Sequence, residues 1–458
     1  DSDNVASPEE RVFVAEIRKS SELNMSWMHS RTLGRLLFVG YVLVAVSPLV
    51  LAWLFRPRPG RSFLLNLSLA CAMVGFALLV LQVVLASRFK WVDYPFGLDV
   101  VTGLHQKAGP LATGLLIVHP ILLMIDHGSL GLLSLDVPWS ITLGKIALIV
   151  LIFGVLFAMY FWKLKTDYNV WRFMHKGMVF VVLFGFAHSA WIGPDMEHTG
   201  MYIYWWGLFL IAAGIFTYRN LAVPTWIRRR FDITDVQQQS HDTYTLTFEP
   251  KDGRQTRRNP GQFMFVKFQR PGRPSELHPF TISASPLKTG ILQATIKQSG
   301  NFTDTIDKTK PGDRARIEAP YGRFSLVHDN PEKVLFIAGG VGITPCMSML
   351  RYLSETEDDR EVVLIYANDT EQDILFRDEL EQLPDRTRVV HVLKEPPENW
   401  SGEKGYVTKE IIEKYAGEIL GRAHAYVCGP PAMMDKIIAS LNELKVPDKR
   451  IHFERFSI

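Results

Sequence analysis

Apolar positions fill the first half of this chain in long, nearly unbroken runs, then give way near residue 222 to short stretches in which apolar and polar positions alternate. An α-helix needs about 20 predominantly apolar residues to cross a bilayer core. Six runs come close: Leu36–Phe55, Ser62–Ala86, Gly103–Ile125, Trp139–Trp162, Trp171–Ile192 and Met201–Tyr218. Their number, length and close succession predict six membrane spans rather than buried helices of a large soluble protein. Trp139, Trp162, Trp171, Trp191, Trp205 and Trp206 fall near span ends, where amphipathic rings anchor at the interface.

After Trp226, stretches such as Thr243–Phe248 and Phe263–Phe268 alternate with period two between Pro and Gly, which predicts a small antiparallel β-barrel. From Pro331 the pattern changes again. Apolar strands end in glycine turns, as in VLFIAGGVGITP (334–345), VVLIYAND (362–369) and AYVCGPPAMM (425–434), the signature of an α/β domain. The expected organisation is a polar segment at 1–32, a six-helix bundle at 33–222, a barrel at 223–330 and an α/β domain at 331–458. Residues 1–30 lack a signal-peptide pattern and read as a short interfacial helix or a disordered segment.

Charge sets the orientation. Arg31, Arg35, Arg88, Lys90, Lys163, Lys165, Arg172, Arg219 and Arg228–Arg230 fall on one side of the bilayer. The other side has Arg56, Arg58 and Arg61 in its first loop. Its later loops, Asp126–Pro138 and Gly193–Gly200, hold no Lys or Arg but carry Asp126, Asp136, Asp195 and Glu197. The basic side is expected to be cytosolic, with the C-terminal half attached to it. A net charge of +3 without a basic tract argues against a nucleic-acid partner. Cys71, Cys346 and Cys428 are far apart, which argues against a disulfide framework, a zinc site or an iron–sulfur cluster.

Histidines inside spans carry the chemistry, because burying a polar or metal-binding group in lipid is costly. The third span holds His105 and His119, fourteen residues apart; the fifth holds His175 and His188, thirteen apart. Those gaps are roughly 20 Å along a helix. Fourteen residues make nearly four turns, so both members share a face, while thirteen leaves a modest offset. The third and fifth spans run the same way, so His105 and His175 sit at one depth and His119 and His188 at another. Two haems stacked through the bilayer are therefore predicted, each six-coordinate, with hydrogen-bonded core histidines as the competing reading. His127 and His198 fall in loops and read as solvated.

LHQKAGPLATGLLIVHP (104–120) and WRFMHKGMVFVVLFGFAHSAWIG (171–193) resemble the ferric reductase/NADPH oxidase family in histidine spacing, in the Trp-Arg before the fifth span's first histidine and in span order. Gln106 departs from the Arg or Lys that often follows the first histidine; Lys107 and Arg172 are nearby substitutes for neutralising a haem propionate. The resemblance implies two b-type haems.

The barrel holds HPFTIS (278–283) and KQSGNFT (297–303). His278, Pro279, Phe280, Thr281 and Ser283 can line a flavin ring, and Gly300, Asn301, Phe302 and Thr303 can turn amides toward a pyrophosphate. The pair resembles the FAD signature of the ferredoxin–NADP reductase superfamily, with His where Arg often stands. In the α/β domain, Gly339, Gly340 and Gly342 let the backbone approach a pyrophosphate, and Thr344 and Pro345 open a helix whose N-terminus favours its charge. GGVGITP followed by CGPPAMM resembles the nicotinamide-binding half of the same superfamily. That implies Cys428 beside the nicotinamide C4, Gly429 and Pro430 in the turn, Met433 lining the following helix and Phe456 over the flavin. Packing alone is the competing role for Cys428. Asn368 and Asp369 disfavour a 2′-phosphate, Lys394 and Arg377 offset them, and the balance leans to NADH or dual use.

The resemblance implies an oxidoreductase carrying electrons from cytosolic NAD(P)H through FAD and two haems to O2, giving superoxide, or to a ferric chelate. Arg56, Arg58 or Arg61 would attract an anion forming outside; acids and histidines there would hold a cation. No obligatory protein partner is evident. Two other readings stand beside it: spans serving only as an anchor for a flavin reductase, and a haem module passing electrons to an extracytoplasmic protein.

Overall fold

The computed structural model describes residues 31–55, 60–161, 163–164, 168–193, 195–273 and 275–455. The chain divides into two compact units, one from Arg31 to Thr225 and one from Trp226 onward.

The first unit contains six helices long and apolar enough to cross a membrane: Thr32–Leu54, Phe63–Ala86, Leu98–His127, Trp139–Tyr160, Asn169–Ile192 and Thr199–Ile227. Ser62 starts the second by accepting from the Leu65 N–H, as an N-cap hydroxyl should. Gly128, at φ +59°, ends the third in the left-handed conformation that glycine adopts without penalty. Large apolar side chains lie both outside and inside the bundle, with Leu151, Met201 and Trp205 buried between helices. Phe63, Phe153 and Trp191 are each 70% or more exposed, whereas the small residues Ala77 and Ala112 are fully buried between helices. That is the packing expected where lipid replaces water, since small residues let backbones approach.

Three features were not read from the sequence. A short helix, Lys90–Phe96, precedes the third span. The sixth span continues as a π-helical segment, Tyr218–Ile227. The fifth is interrupted at Gly177–Met178, between Tyr168–Lys176 and Val179–Ile192. The interruption corrects the expected modest offset of its histidines. At about 100° per residue, thirteen residues end about 140° short of a whole number of turns. An uninterrupted helix would aim His175 and His188 at different neighbours, and the break takes up that rotation.

The second unit opens with a curled six-stranded antiparallel sheet. Its strands are β1 (Arg229–Ser240), β2 (Thr243–Pro250), β3 (Phe263–Gln269), β4 (Leu277–Thr281), β5 (Leu292–Lys297) and β6 (Arg314–Tyr321), in the order β4-β3-β6-β1-β2-β5. Phe231, Ile233, Leu246, Phe248, Met264, Val266 and Phe268 fill its interior. A parallel sheet follows: β7 (Lys333–Gly339), β8 (Glu361–Asn368), β9 (Thr387–Leu393), β10 (Glu403–Lys404), β11 (Ala423–Cys428) and β12 (Ile451–Phe453), in the order β10-β9-β8-β7-β11-β12. Val334 to Ala338 are fully buried, the continuous apolar run that helices on both faces of a sheet require. Every neighbouring pair in this sheet is parallel.

Candidate redox site

Spans three and five bring the four histidines together in two pairs. The rings of His105 and His175 lie 5.8 Å apart, and those of His119 and His188 lie 6.5 Å apart. Two imidazole nitrogens each about 2 Å from one metal hold their ring centres roughly 6 Å apart, so both pairs fit a shared iron.

Neighbouring groups aim the rings. Trp171, one turn before His175, stacks on it at 5.2 Å and 9°, and Phe161 stacks on Trp171. His119 Nδ1 lies 2.9 Å from Ser68 Oγ, which also donates to the His119 carbonyl. His188 Nδ1 donates to the Ser140 carbonyl at 2.9 Å. Fixing one ring nitrogen in this way leaves the other for a metal. A Cβ on Gly144 would sit 2.7 Å from His188 Nδ1, so only glycine gives that ring its place. His175 Nδ1 is buried without a hydrogen-bond partner, an arrangement that buried polar atoms seldom keep without a further group, while His105 lies against the Gln82 backbone.

At the opposite end of the bundle from the reductase connection, Arg61 pairs with Asp195 at 2.7 Å with both side chains largely buried. Ser62 hydrogen-bonds Asp126. Exposed His198 stacks on Phe55 at 4.2 Å and caps the sixth span by accepting from the Gly200 N–H. Arg56, Arg58, Trp162 and Lys165 lie outside the described residues.

In the barrel, the two flavin-type motifs meet. The ring of His278, on β4, stacks on that of Phe302 at 4.2 Å and 21°. His278 Nε2 lies 2.9 Å from Glu276 Oε2. Pro279 and Phe280 are half-buried in the same strand, and Thr281 and Ser283 are buried at its end. Thr303 Oγ1 accepts from the Ser299 N–H, and Asp304 accepts from the Gly300 N–H. The Gly300 amide is thus already engaged by its own loop, and exposed Asn301 stands at its tip. Arg270 was missed in the sequence. It is buried between Phe268 and Phe302 and donates to the Thr305 carbonyl and hydroxyl and to Thr309.

The two glycine turns of the parallel sheet interlock. A Cβ on Gly342 would lie 2.5 Å from the Cys428 carbonyl and 2.9 Å from Gly429 Cα. One on Gly339 would meet Met433 Sδ and would lie 3.0 Å from Pro430 Cδ. Gly340 takes the left-handed conformation at φ +52°, and its carbonyl accepts from the buried Tyr366 hydroxyl. Thr344 Oγ1 caps back to the Val341 carbonyl, and Pro345 is buried in the first turn of the helix Ile343–Glu355. Cys428 is fully buried, its Sγ 3.9 Å from the Glu454 carbonyl, and burial pushes its thiol pKa well up. A buried thiol held protonated is inert as a nucleophile. Phe456 lies outside the described residues.

The helix Ile343–Glu355 also grips the end of the flavin-type motif. Arg351 donates to the Ser283 carbonyl and forks onto Glu379, Ser348 donates to the Ala284 carbonyl, and Ser285 donates to Glu355. Arg258, its pKa lowered to about 10 by burial, donates to the Ser285 carbonyl. The two motif regions of the second unit are therefore held by one helix. Sequence spacing gave no sign of it.

Residues 71–186 match the model of the ferric reductase like transmembrane component, a range that takes in His105, His119 and His175. Residues 230–326 match the oxidoreductase FAD-binding domain and 336–438 the oxidoreductase NAD-binding domain. NADH-cytochrome b5 reductase 2 of Mycosarcoma maydis is 31% identical over 220 residues, 45% of this chain and 63% of that protein. NADH-cytochrome b5 reductase 1 of Debaryomyces hansenii is 37% identical over 163 residues, 33% of this chain and 57% of that protein. The chain thus spans about six-tenths of the length of these two curated relatives. Among solved structures, the cytochrome b5 reductase domain of Ulva prolifera nitrate reductase covers 50% of this chain and 97% of its own at 21% identity, with a TM-score of 0.44. With a ferric-reductase-like transmembrane component followed in order by FAD-binding and NAD-binding oxidoreductase domains, the chain matches the domain architecture of the ferric reductase/NADPH oxidase type.

Proposed function

We propose that this protein draws electrons from NADH on the cytosolic side and delivers them across the bilayer, through FAD and two b-type haems, to O2 on the opposite side as superoxide. The facing of His105 with His175 and of His119 with His188 carries this reading. A mere membrane anchor has no use for two matched pairs. When bound, FAD accepts a hydride from the nicotinamide and the haem irons relay single electrons. The chain's own part is placement. The spans hold each histidine pair at its own depth, Trp171, Ser68 and the Ser140 carbonyl fix ring orientation, and Gly144 gives His188 room. His278 and Phe302 would flank the flavin, and the interlocked turns at 339–342 and 428–430 would receive the dinucleotide.

NADH is favoured over NADPH by the charges after β8 and β9. Lys394 is already compensated by Asp369 at 3.8 Å and Glu395 at 3.0 Å, and Arg377 by Glu371 and Glu381. Neither cation is left to attract a 2′-phosphate. Oxygen is favoured over a ferric chelate because Asp195 is committed to Arg61 and Asp126 to Ser62. Two of the four acids that would hold a cation are thereby engaged.

The test is a reduced-minus-oxidised visible spectrum of the purified protein, with a haem-to-protein ratio, repeated with NADH and FAD under nitrogen before air is admitted. Two b-type haems per chain, reduced by NADH and promptly reoxidised by air with superoxide released, is the expected result. Flavin reductase activity without haem would sink the assignment of all four histidines. Reoxidation by ferric chelate but not by air would overturn the acceptor.

A further inference from the structure

Away from both sets of motifs, the edge of the parallel sheet gathers three metal-ligating side chains from three separate elements. His424 lies on β11, His452 on the neighbouring strand β12, and Asp329 in the segment that leads into β7. Each offers one ligand atom, and the three atoms lie within 4.8 Å of one another. Among the described residues, this is the cluster of three or more such groups that the fold assembles.

The details favour a bound ion over a chance meeting. His424 Nδ1 and His452 Nε2 are 2.9 Å apart, with the two rings stacked at 15°. Asp329 Oδ2 approaches His452 Nδ1 at 3.6 Å. Ligands on opposite sides of a zinc-sized ion, at bond lengths of about 2.0–2.2 Å, are at most about 4.4 Å apart, so small side-chain movements close the site. A second observation points the same way. The ring of Tyr426 stacks on His452 at 4.6 Å, and its hydroxyl, in a fully buried residue, has no hydrogen-bond partner. Buried hydroxyls seldom go without a partner, and a water carried by an ion at this cluster would satisfy this one.

We propose that Asp329, His424 and His452 form a site for a divalent transition cation of the zinc class, with the Tyr426 hydroxyl facing a metal-bound water. Two imidazoles, a carboxylate and an open position suit zinc, cobalt or nickel better than the all-oxygen ligation of magnesium or calcium. The site pins the lower part of β12 to β11. Downstream of it, β11 ends at Cys428 in the glycine turn, and β12 leads into Glu454, whose carbonyl meets the Cys428 thiol. Metal binding therefore braces the two strands that carry one wall of the dinucleotide turn.

The test uses the full-length, haem- and FAD-loaded protein, stripped with a chelator and dialysed against graded Zn2+, with bound metal read by mass spectrometry. Wild type should take up one zinc more than His424→Gln. Asp329→Asn should weaken that uptake at least about tenfold. Zn2+ should raise the unfolding midpoint of wild type, read by FAD fluorescence, and leave that of His424→Gln unmoved. NADH–ferricyanide activity of the metal-free variants equal to that of wild type would show that they are folded. Should His424→Gln fail to fold, Asp329→Asn carries the comparison alone. Equal zinc uptake by wild type and folded variants would overturn the proposal.

Discussion

The two histidine pairs of the bundle share a ligand type and differ in everything around it. His119 and His188 have their Nδ1 atoms tied to Ser68 and to the Ser140 carbonyl, and Gly144 leaves space for one ring. His175 has a buried Nδ1 without a partner and is held by stacking on Trp171, while the Gln82 backbone approaches His105. Hydrogen-bonded imidazoles are the more basic, electron-donating ligands, and their tautomer is fixed in advance. The comparison teaches that one scaffold can hold two like ligand pairs by different means. The outer pair, His119 and His188, is held by hydrogen bonds, and the inner pair, His105 and His175, chiefly by packing.

That contrast can be broken outright. His119→Ala or His188→Ala should lower the haem content from two to one per chain and cut NADH-driven delivery to the far side by more than about 100-fold, with NADH–ferricyanide activity retained. Retention of both haems would remove the pairing. Gly144→Leu is the next largest change. Its side chain takes the place of the His188 ring, so outer-haem loss is expected, while Gly109→Ala, with nothing within 4 Å of its Cβ, leaves the spectrum unchanged. Equal effects at the two glycines would deny Gly144 its role.

Ser68→Ala sharpens the comparison with less damage. The shorter of two contacts to His119 Nδ1 is lost and the 3.2 Å approach of the Ser68 carbonyl is kept, so the outer site should weaken by up to about tenfold, read as haem released on dilution, with the inner haem unaffected. A uniform loss from both sites would mean that the bundle had simply loosened.

The smallest effect lies outside the membrane. His391 shares the orphaned Nδ1 of His175 but packs near Tyr366 and Trp400 rather than another ligand-bearing helix. Burial, with Arg377 nearby, lowers its pKa. The neutral form is then favoured in the fold, while the unfolded chain titrates near the ordinary value of about 6.5. Stability is accordingly full above that value and declines as pH falls below it. Thermal unfolding followed by FAD fluorescence should show that decline in wild type and a shallower one in His391→Gln. Identical slopes would assign the acid sensitivity elsewhere.

Much of this was legible because lipid and parallel sheets both demand long apolar runs. The spans, the four histidines and the strands ending in Gly339 and Cys428 all announce themselves by composition and spacing. What escaped the sequence depends on neighbours distant along the chain. Arg351 reads as an ordinary exposed-face helix residue until it reaches Ser283, and Arg270 as a loop cation until two phenylalanines enclose it. Gly144 looks like any glycine in a span until His188 lies against it. The break at Gly177–Met178 escaped because a helical count alone assumes a straight helix.

That break has a use as a joint. In a continuous helix, one inserted residue swings every later side chain by about 100° and would strip an iron of its ligand. Where the helix is already interrupted, the two segments carry their histidines separately. A residue inserted at Gly177–Met178 is therefore expected to disturb the pairing of His188 less than one inserted within Val179–Ile192.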